Sequence, residues 1–274
     1  MMVSGKSVLL LGIMLISLFS GCLTEIESIQ YPQESNQEIY GDDETISIAC
    51  WNLQIFGKTK ASNETLIEYY AEKLEKYDIF IIQEIRDASG DAIDALAARF
   101  PHHQYIISNR AGQSSSKEQY AVFYNNQTNL IASYDYQSEY QYDMQRPPLK
   151  CTFSSNNWTF TIYTIHTQPN NVDAELTVME TLIDQSFSDT IILGDLNADG
   201  KYYDEDNKNH FTDWIWVVGN EIDTTVAASD NTYDRILINN AAQNNFISFG
   251  IMDDVSSNQS DHYLVYGFFS NKTP

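Results

Sequence analysis

Seven stretches of the chain are apolar throughout or alternate apolar with polar residues: "TISIACWNL" (45–53), "DIFIIQE" (78–84), "QYAVFYN" (119–125), "WTFTIYTIHT" (158–167), "TIILGDL" (190–196), "YDRILIN" (233–239) and "HYLVYGFF" (262–269). Their β-branched and aromatic content predicts strands. Two segments between them repeat apolar residues every three or four positions instead. In "NETLIEYYAEKLEKY" the residues Leu66, Tyr69, Tyr70 and Leu74 make one face, and Asn63 stands where a helix N-cap belongs. In "NVDAELTVMETLIDQ" the stripe is Val172, Leu176, Met179, Leu182 and Ile183. Strands with helices interspersed, but not strictly alternating, predict a layered α/β domain whose sheets are covered by helices.

The first two dozen residues follow another pattern. Lys6 precedes "VLLLGIMLISLF", which is shorter than the roughly 20 residues of a spanning helix, and Ser20-Gly21-Cys22 follows. Residues 1–21 therefore predict an export signal, and Cys22 behind a small residue has the pattern of a lipidation site. Ordinary signal cleavage and an uncleaved anchor stay open. The expected location is extracellular or at the cell surface. Residues 22–43 are polar and acidic without periodicity and predict a flexible tether. Residues 44–270 are enough for one domain with a substantial core. Apart from Cys22, only Cys50 and Cys151 remain. One disulfide is open to them, but their apolar strand settings predict two buried free thiols.

Charge narrows the picture. The chain has 274 residues, with 15 Lys and Arg against 38 Asp and Glu, for a net charge of -23. That balance excludes the large basic stripe usual in nucleic-acid partners, unless divalent cations supply positive charge locally. Polar side chains then stand where a buried strand does not want them. Asn52 and Gln54 follow the first strand, Glu84 the second, His166 ends the fourth, Asp195 and Asn197 leave the fifth, and Asp261-His262 enter the last. Asp195 and Asn197 are two apart and project to one side in extended chain. Several strand ends so marked predict one polar pocket, the usual site of an α/β sheet protein. His102, His103 and His210 lie in polar, loop-like surroundings and receive no role.

"CWNLQIFGKTKASNETL", "YDIFIIQEIRD", "SKEQYAVFY", "IHTQP", "ILGDLNAD", "TYDRILI" and "SDHY" occur in this order. The chain thereby resembles the endonuclease/exonuclease/phosphatase superfamily, and its pancreatic-type DNase I branch in particular, over about residues 45 to 268. The resemblance implies a four-layer α/β sandwich of two packed, mainly antiparallel sheets flanked by helices. It implies a monomeric, Mg²⁺- or Mn²⁺-dependent endonuclease that cuts double-stranded DNA with little sequence preference. Glu84 would be the principal metal carboxylate, with Asn52 beside it and Asp261 completing the metal side, since hard cations take oxygen ligands. Glu118 would pair with His166 and Asp234 with His262, two histidine–carboxylate pairs for proton transfer. Asp195 and Asn197 would hold the attacking water, a metal or a phosphate oxygen. Arg86 and Arg146 would hold substrate phosphates.

Departures from that pattern leave the substrate open. Gln54 stands where the branch has an arginine, and Gln113, Ser114 and Ser116 replace its arginine, asparagine and stacking tyrosine. The disulfide beside "GDLNAD" is missing, with Gly200 and Asn231 at those positions. A calcium-type loop survives in part as Asp223, Thr225 and Ser229, with Ala227 lacking an oxygen; a solvated loop with turn caps is the alternative. The Tyr-rich "YDYQSEYQYDMQ" (134–145) predicts an exposed strand pair, with base stacking as the other reading. A phosphodiesterase or phosphatase acting on a phospholipid headgroup, inositol phosphate or nucleotide is the competing enzyme. A non-catalytic binding protein on the same scaffold is the third reading.

Overall fold

The computed structural model describes residues 44–183, 188–204 and 209–272. The expected export signal, the tether and Cys22 lie outside the described residues. In chain order the elements are β1 (Thr45–Phe56), α1 (Lys58–Ala61), α2 (Glu64–Leu74), β2 (Ile79–Ile85), α3 (Asp91–Ala97), β3 (His103–Ile107), β4 (Gln119–Asn125), β5 (Asn129–Asp135), α4 (Gln137–Tyr140), β6 (Leu149–Ser155), β7 (Trp158–Thr164), α5 (Val172–Leu182), β8 (Asp189–Asp195), β9 (Ile215–Trp216), β10 (Asp234–Ile238), β11 (Phe246–Met252) and β12 (Leu264–Ser270). They build two six-stranded sheets, ordered β11-β12-β1-β2-β4-β3 and β5-β6-β7-β8-β10-β9.

Each sheet is antiparallel except for one parallel pair, β1 with β2 and β7 with β8. A parallel pair needs a crossover, and α1 with α2 supplies it in the first sheet and α5 in the second. The crossover helices cover the outer faces, so the central strands are buried on both sides and read as continuous apolar runs. In β1, Ile46, Ile48 and Cys50 face the second sheet, while Ala49, Trp51 and Leu53 face the helices. The inter-sheet core also takes Ile79, Ile81, Ile162, Ile191, Leu193 and Ile236. On the far side α5 packs Val172, Leu176 and Met179 against Tyr163, Ile192 and Leu237. The result is the four-layer sandwich, two mixed but mainly antiparallel sheets between helical layers. Cys50 and Cys151 are buried in the middle layer as free thiols.

Asn63 caps α2 as expected, its side chain accepting the Leu66 N–H at 3.2 Å. The face of that helix differs from the expectation. Ile67, Tyr70, Ala71 and Leu74 are buried, while Leu66 and Tyr69 lie at its margin. The eleven-residue helix would be marginal alone. Burial of large side chains, each worth about 1.5–3 kcal/mol, stabilises it on the sheet. The Tyr-rich segment is not a strand pair: β5 ends at Asp135 and the short α4 follows. Within it Asp135 accepts the Gln137 N–H at 2.9 Å and turns the chain there.

Candidate active site

The sheet topology explains why distant segments meet. Asn52 and Glu84 sit toward the carboxyl ends of the parallel strands β1 and β2, and His166 and Asp195 at those of β7 and β8. The antiparallel neighbours β4, β10 and β12 begin at that same edge. Gln119 lies opposite Ile85, and Asp234 opposite Asp195. Glu118, Asp234 and His262 are thereby delivered from strand starts to the place where the parallel strands end.

Asp195 Oδ2 is the hub. It lies 3.1 Å from Asn52 Nδ2, 3.2 Å from His166 Nε2 and 3.5 Å from His262 Nε2. Each imidazole continues to a second carboxylate through its other nitrogen, His166 Nδ1 to Glu118 Oε1 and His262 Nδ1 to Asp234 Oδ2, both at 2.7 Å. Asp195 Oδ1 accepts the Asn197 N–H at 3.1 Å, and Asn197 Nδ2 donates to the Thr167 carbonyl at 3.2 Å. Asn52, Glu84, Glu118 and His262 come with the first sheet, and His166, Asp195, Asn197 and Asp234 with the second. The centre thus exists only while the two sheets are packed.

Backbone strain aims several of these groups. Gln54, Ile55, Glu84 and Asn197 all have positive φ (44°, 55°, 59° and 47°), a conformation that costs a non-glycine residue about 1–3 kcal/mol. Local hydrogen bonds offset it, with Gln54 N–H donating to Asn52 Oδ1 at 2.9 Å and Ile55 N–H to Glu84 Oε2 at 2.8 Å. Gly194, beside Asp195, has no room for a side chain, because a Cβ would meet the Ile165 carbonyl oxygen at 2.0 Å.

Charge is concentrated at this edge. Burial alone would raise Glu118, but His166, Arg146 and Arg86 outweigh it and hold the carboxyl down to about 2. Burial likewise opposes the charge on His262, yet Asp234 and Asp195 together push its imidazole up to about 10. Asp195 is held below the usual carboxylate range against its own burial, by His262 and His166 and by the hydrogen bond from Asn52. Lys60 Nζ donates to the Leu53 and Gln259 carbonyls, both at 2.8 Å, and ties the end of β1 to the turn before His262.

The donor set suits a hard divalent cation. Ligand atoms of Glu84, Glu118 and His166 lie within 4.8 Å of one another. Of the three, Glu84 has the most exposed side chain and carries its charge at the rim. Asn52 lies beside it as expected, with its amide nitrogen 3.2 Å from Glu84 Oε1. Asp261 is placed next to His262, its Oδ1 3.7 Å from His262 Nε2, with a half-exposed side chain. Arg86 contacts both Glu84 and Glu118, at 3.1 and 3.2 Å, and also donates to Ser116 Oγ.

Other expected residues have different surroundings. Arg146, expected at substrate phosphate, is turned inward. Its Nε donates to the His166 carbonyl at 2.7 Å and its Nη2 to the Thr167 carbonyl at 2.6 Å, because these carbonyls lie in irregular backbone and need donors. At the calcium-type loop, Asp223 Oδ1 accepts from Thr225 N–H, Thr225 Oγ1 and Asn231 N–H, at 3.0, 3.0 and 3.1 Å. Ser229 Oγ accepts from Asn231 Nδ2 at 3.0 Å. Those contacts are those of a turn cap. His103 belongs to β3 and meets the Tyr77 carbonyl, so it is not in a loop; His210 is in a polar loop as expected, buried between Glu180 and Asp173.

Three supports escaped the sequence reading. Gln83, fully buried, donates to Thr164 Oγ1 and the Ile165 carbonyl and accepts the Asp195 N–H at 2.9 Å, a strut between the sheets beneath the site. Its signal was a lone amide in an apolar strand. Ser260 Oγ accepts the His262 N–H and donates to the Asn52 carbonyl. Glu175, fully buried in α5, accepts the Gln145 N–H at 2.7 Å and the Gln168 N–H at 3.0 Å. Burial pushes this carboxyl up against the pull of those donors and of Arg146.

Fold and site together define a class: a two-sheet α/β sandwich with a histidine–carboxylate hydrolytic centre at one sheet edge. The profile of the Endonuclease/Exonuclease/phosphatase family matches residues 49–262, and the chain belongs to that family. It is similar to Deoxyribonuclease-1 of Bos taurus, 28% identical over 256 residues that span 81% of this chain and 91% of the relative. Among solved structures it is similar to an endonuclease/exonuclease/phosphatase family protein from Bacteroides thetaiotaomicron, with a TM-score of 0.63, 16% identity, and coverage of 84% of this chain and 98% of that one. A mannosyl-6-phosphatase from Bacteroides thetaiotaomicron VPI-5482 superposes with a TM-score of 0.60 at 15% identity, covering 81% and 98%. The two structures share the fold, and the chain is a hydrolase of this family.

Proposed function

We propose that the chain is an exported, divalent-metal-dependent endonuclease that hydrolyses DNA phosphodiester bonds with little sequence preference, held at the cell surface by a lipid on Cys22. The observation that carries the reading is the convergence of Asn52, His166 and His262 on Asp195 Oδ2. Phosphodiester hydrolysis needs one group to take a proton from water and another to protonate the leaving oxygen. His262, kept protonated by Asp234 and Asp195, is suited to donate to the leaving oxygen. His166, fixed by Glu118 and facing Asp195, handles the proton of the attacking water. Glu84, with Asn52 and Asp261, would hold Mg²⁺ or Mn²⁺, which supplies Lewis-acid stabilisation of charge on the phosphoryl oxygens. Similarity to Deoxyribonuclease-1 favours DNA as the substrate.

A second reading keeps the centre and changes the substrate to a small phosphate ester or a headgroup. It is favoured by the inward turn of Arg146, the engagement of Arg86 by two carboxylates, and the net charge of -23. Plasmid, RNA, sphingomyelin and small phosphate esters assayed in parallel with Mg²⁺ separate the two. Nicked plasmid at low enzyme concentration is expected; turnover of a small ester with intact plasmid would transfer the conclusion to the second reading.

A further inference from the structure

Residues 166–168 leave β7 before α5 begins, so no ladder satisfies their backbone. Side chains and the end of β8 do so instead. The His166 N–H donates to Tyr120 Oη at 2.9 Å and its carbonyl accepts from Arg146 Nε. The Thr167 N–H donates to the Asp195 carbonyl at 3.1 Å, and its own carbonyl accepts from Arg146 Nη2 and Asn197 Nδ2. The Gln168 N–H donates to Glu175 Oε2. Glu175 Oε1 accepts the N–H of Gln145, one residue before Arg146, so one carboxylate holds the loops that carry Arg146 and His166. The two side chains divide the work by charge: the Arg146 guanidinium takes carbonyls, and the Glu175 carboxylate takes N–H groups.

The apolar contacts of α5 are made by Val172, Leu176, Met179 and Leu182. A fully buried carboxylate adds nothing to that packing and is costly to desolvate, so its presence calls for another reason. We infer that Glu175 is a positioning residue, clipping the His166 loop to the Arg146 loop and thereby fixing the imidazole that faces Asp195. The inference rests on the reading of His166 as a proton-handling group.

The test is Glu175→Gln in the full chain, with Leu176→Ala, a core change on the same helix, as the control. Glutamine keeps the shape but presents an amide N–H₂ to one of the two backbone N–H groups. The expected result is a fall in kcat for plasmid nicking of roughly 10- to 100-fold, the range for lost outer-shell partners, with KM little changed. The ring C–H resonance of His166 should move in Glu175→Gln and stay in Leu176→Ala, and Leu176→Ala should lower the melting temperature while keeping kcat where it is folded. Wild-type kcat in folded Glu175→Gln, or an equal loss in folded Leu176→Ala, would overturn the assignment. If the wild type hydrolyses no phosphodiester, the proposed function fails on its own and the resonance decides the inference: an unmoved His166 signal sinks it.

Discussion

Replacing Glu118 by glutamine removes one charge from a site where that charge is buried and triply engaged. The carboxylate meets His166 Nδ1 at 2.7 Å, Arg86 Nη2 at 3.2 Å and Arg146 Nε at 3.3 Å, and its side chain is 1% exposed. These three groups hold the carboxyl at about 2 against an ordinary value of 4.5. At ~1.4 kcal/mol per pH unit the difference amounts to about 3 kcal/mol of folding stability, within the range for breaking a buried ion pair. Because folding depresses this pKa, the contribution is complete above about pH 4.5 and is lost as the pH falls toward 2. Urea unfolding of wild type and Glu118→Gln should therefore differ by about 3 kcal/mol at pH 7 and by only about 1 kcal/mol at pH 3. A gap of the same size at both pH values would refute the electrostatic account and leave shape as the cause.

His166→Ala and His262→Ala should each lower turnover by roughly 10² to 10⁴, the range for a lost general acid or base; wild-type cleavage in both would refute their roles. A chelator should abolish nicking and Mg²⁺ or Mn²⁺ restore it, with Glu84→Ala raising the concentration needed; activity that survives exhaustive chelation would contradict the metal assignment. Gly194→Ala should destabilise the fold by about 3 kcal/mol or more, at the upper end of overpacking, because the added Cβ meets backbone 2.0 Å away; a thermal midpoint equal to wild type would show that β8 can shift.

The central strands β1, β2 and β8 were legible because both their faces are buried and leave an apolar run, whereas the interior strand β6 alternates buried with half-buried positions and was missed. The edge strands were not legible either. Every residue of β5 is exposed or partly so, and β3 is half-exposed, so periodicity carries little signal and their pairing with β6 and β4 decides their conformation. β11 was missed although it is apolar, since its sequence does not distinguish strand from buried helix. The histidines and carboxylates were readable as polar interruptions at strand ends. Gln83 and Glu175 were not, because their partners are backbone groups more than 80 residues away in one case and on two irregular loops in the other. Arg146 shows the complementary gap: its motif does not reveal that its guanidinium satisfies the His166 and Thr167 carbonyls.

The central claim is that both sheets deliver their groups to Asp195 for phosphodiester hydrolysis. The most direct measurement is Mg²⁺-supplemented plasmid nicking by wild type and Asp195→Asn, with folding checked by circular dichroism. Nicking by wild type and a loss of at least roughly 10² in the folded variant is the predicted result. A folded Asp195→Asn protein that nicks at the wild-type rate would contradict it.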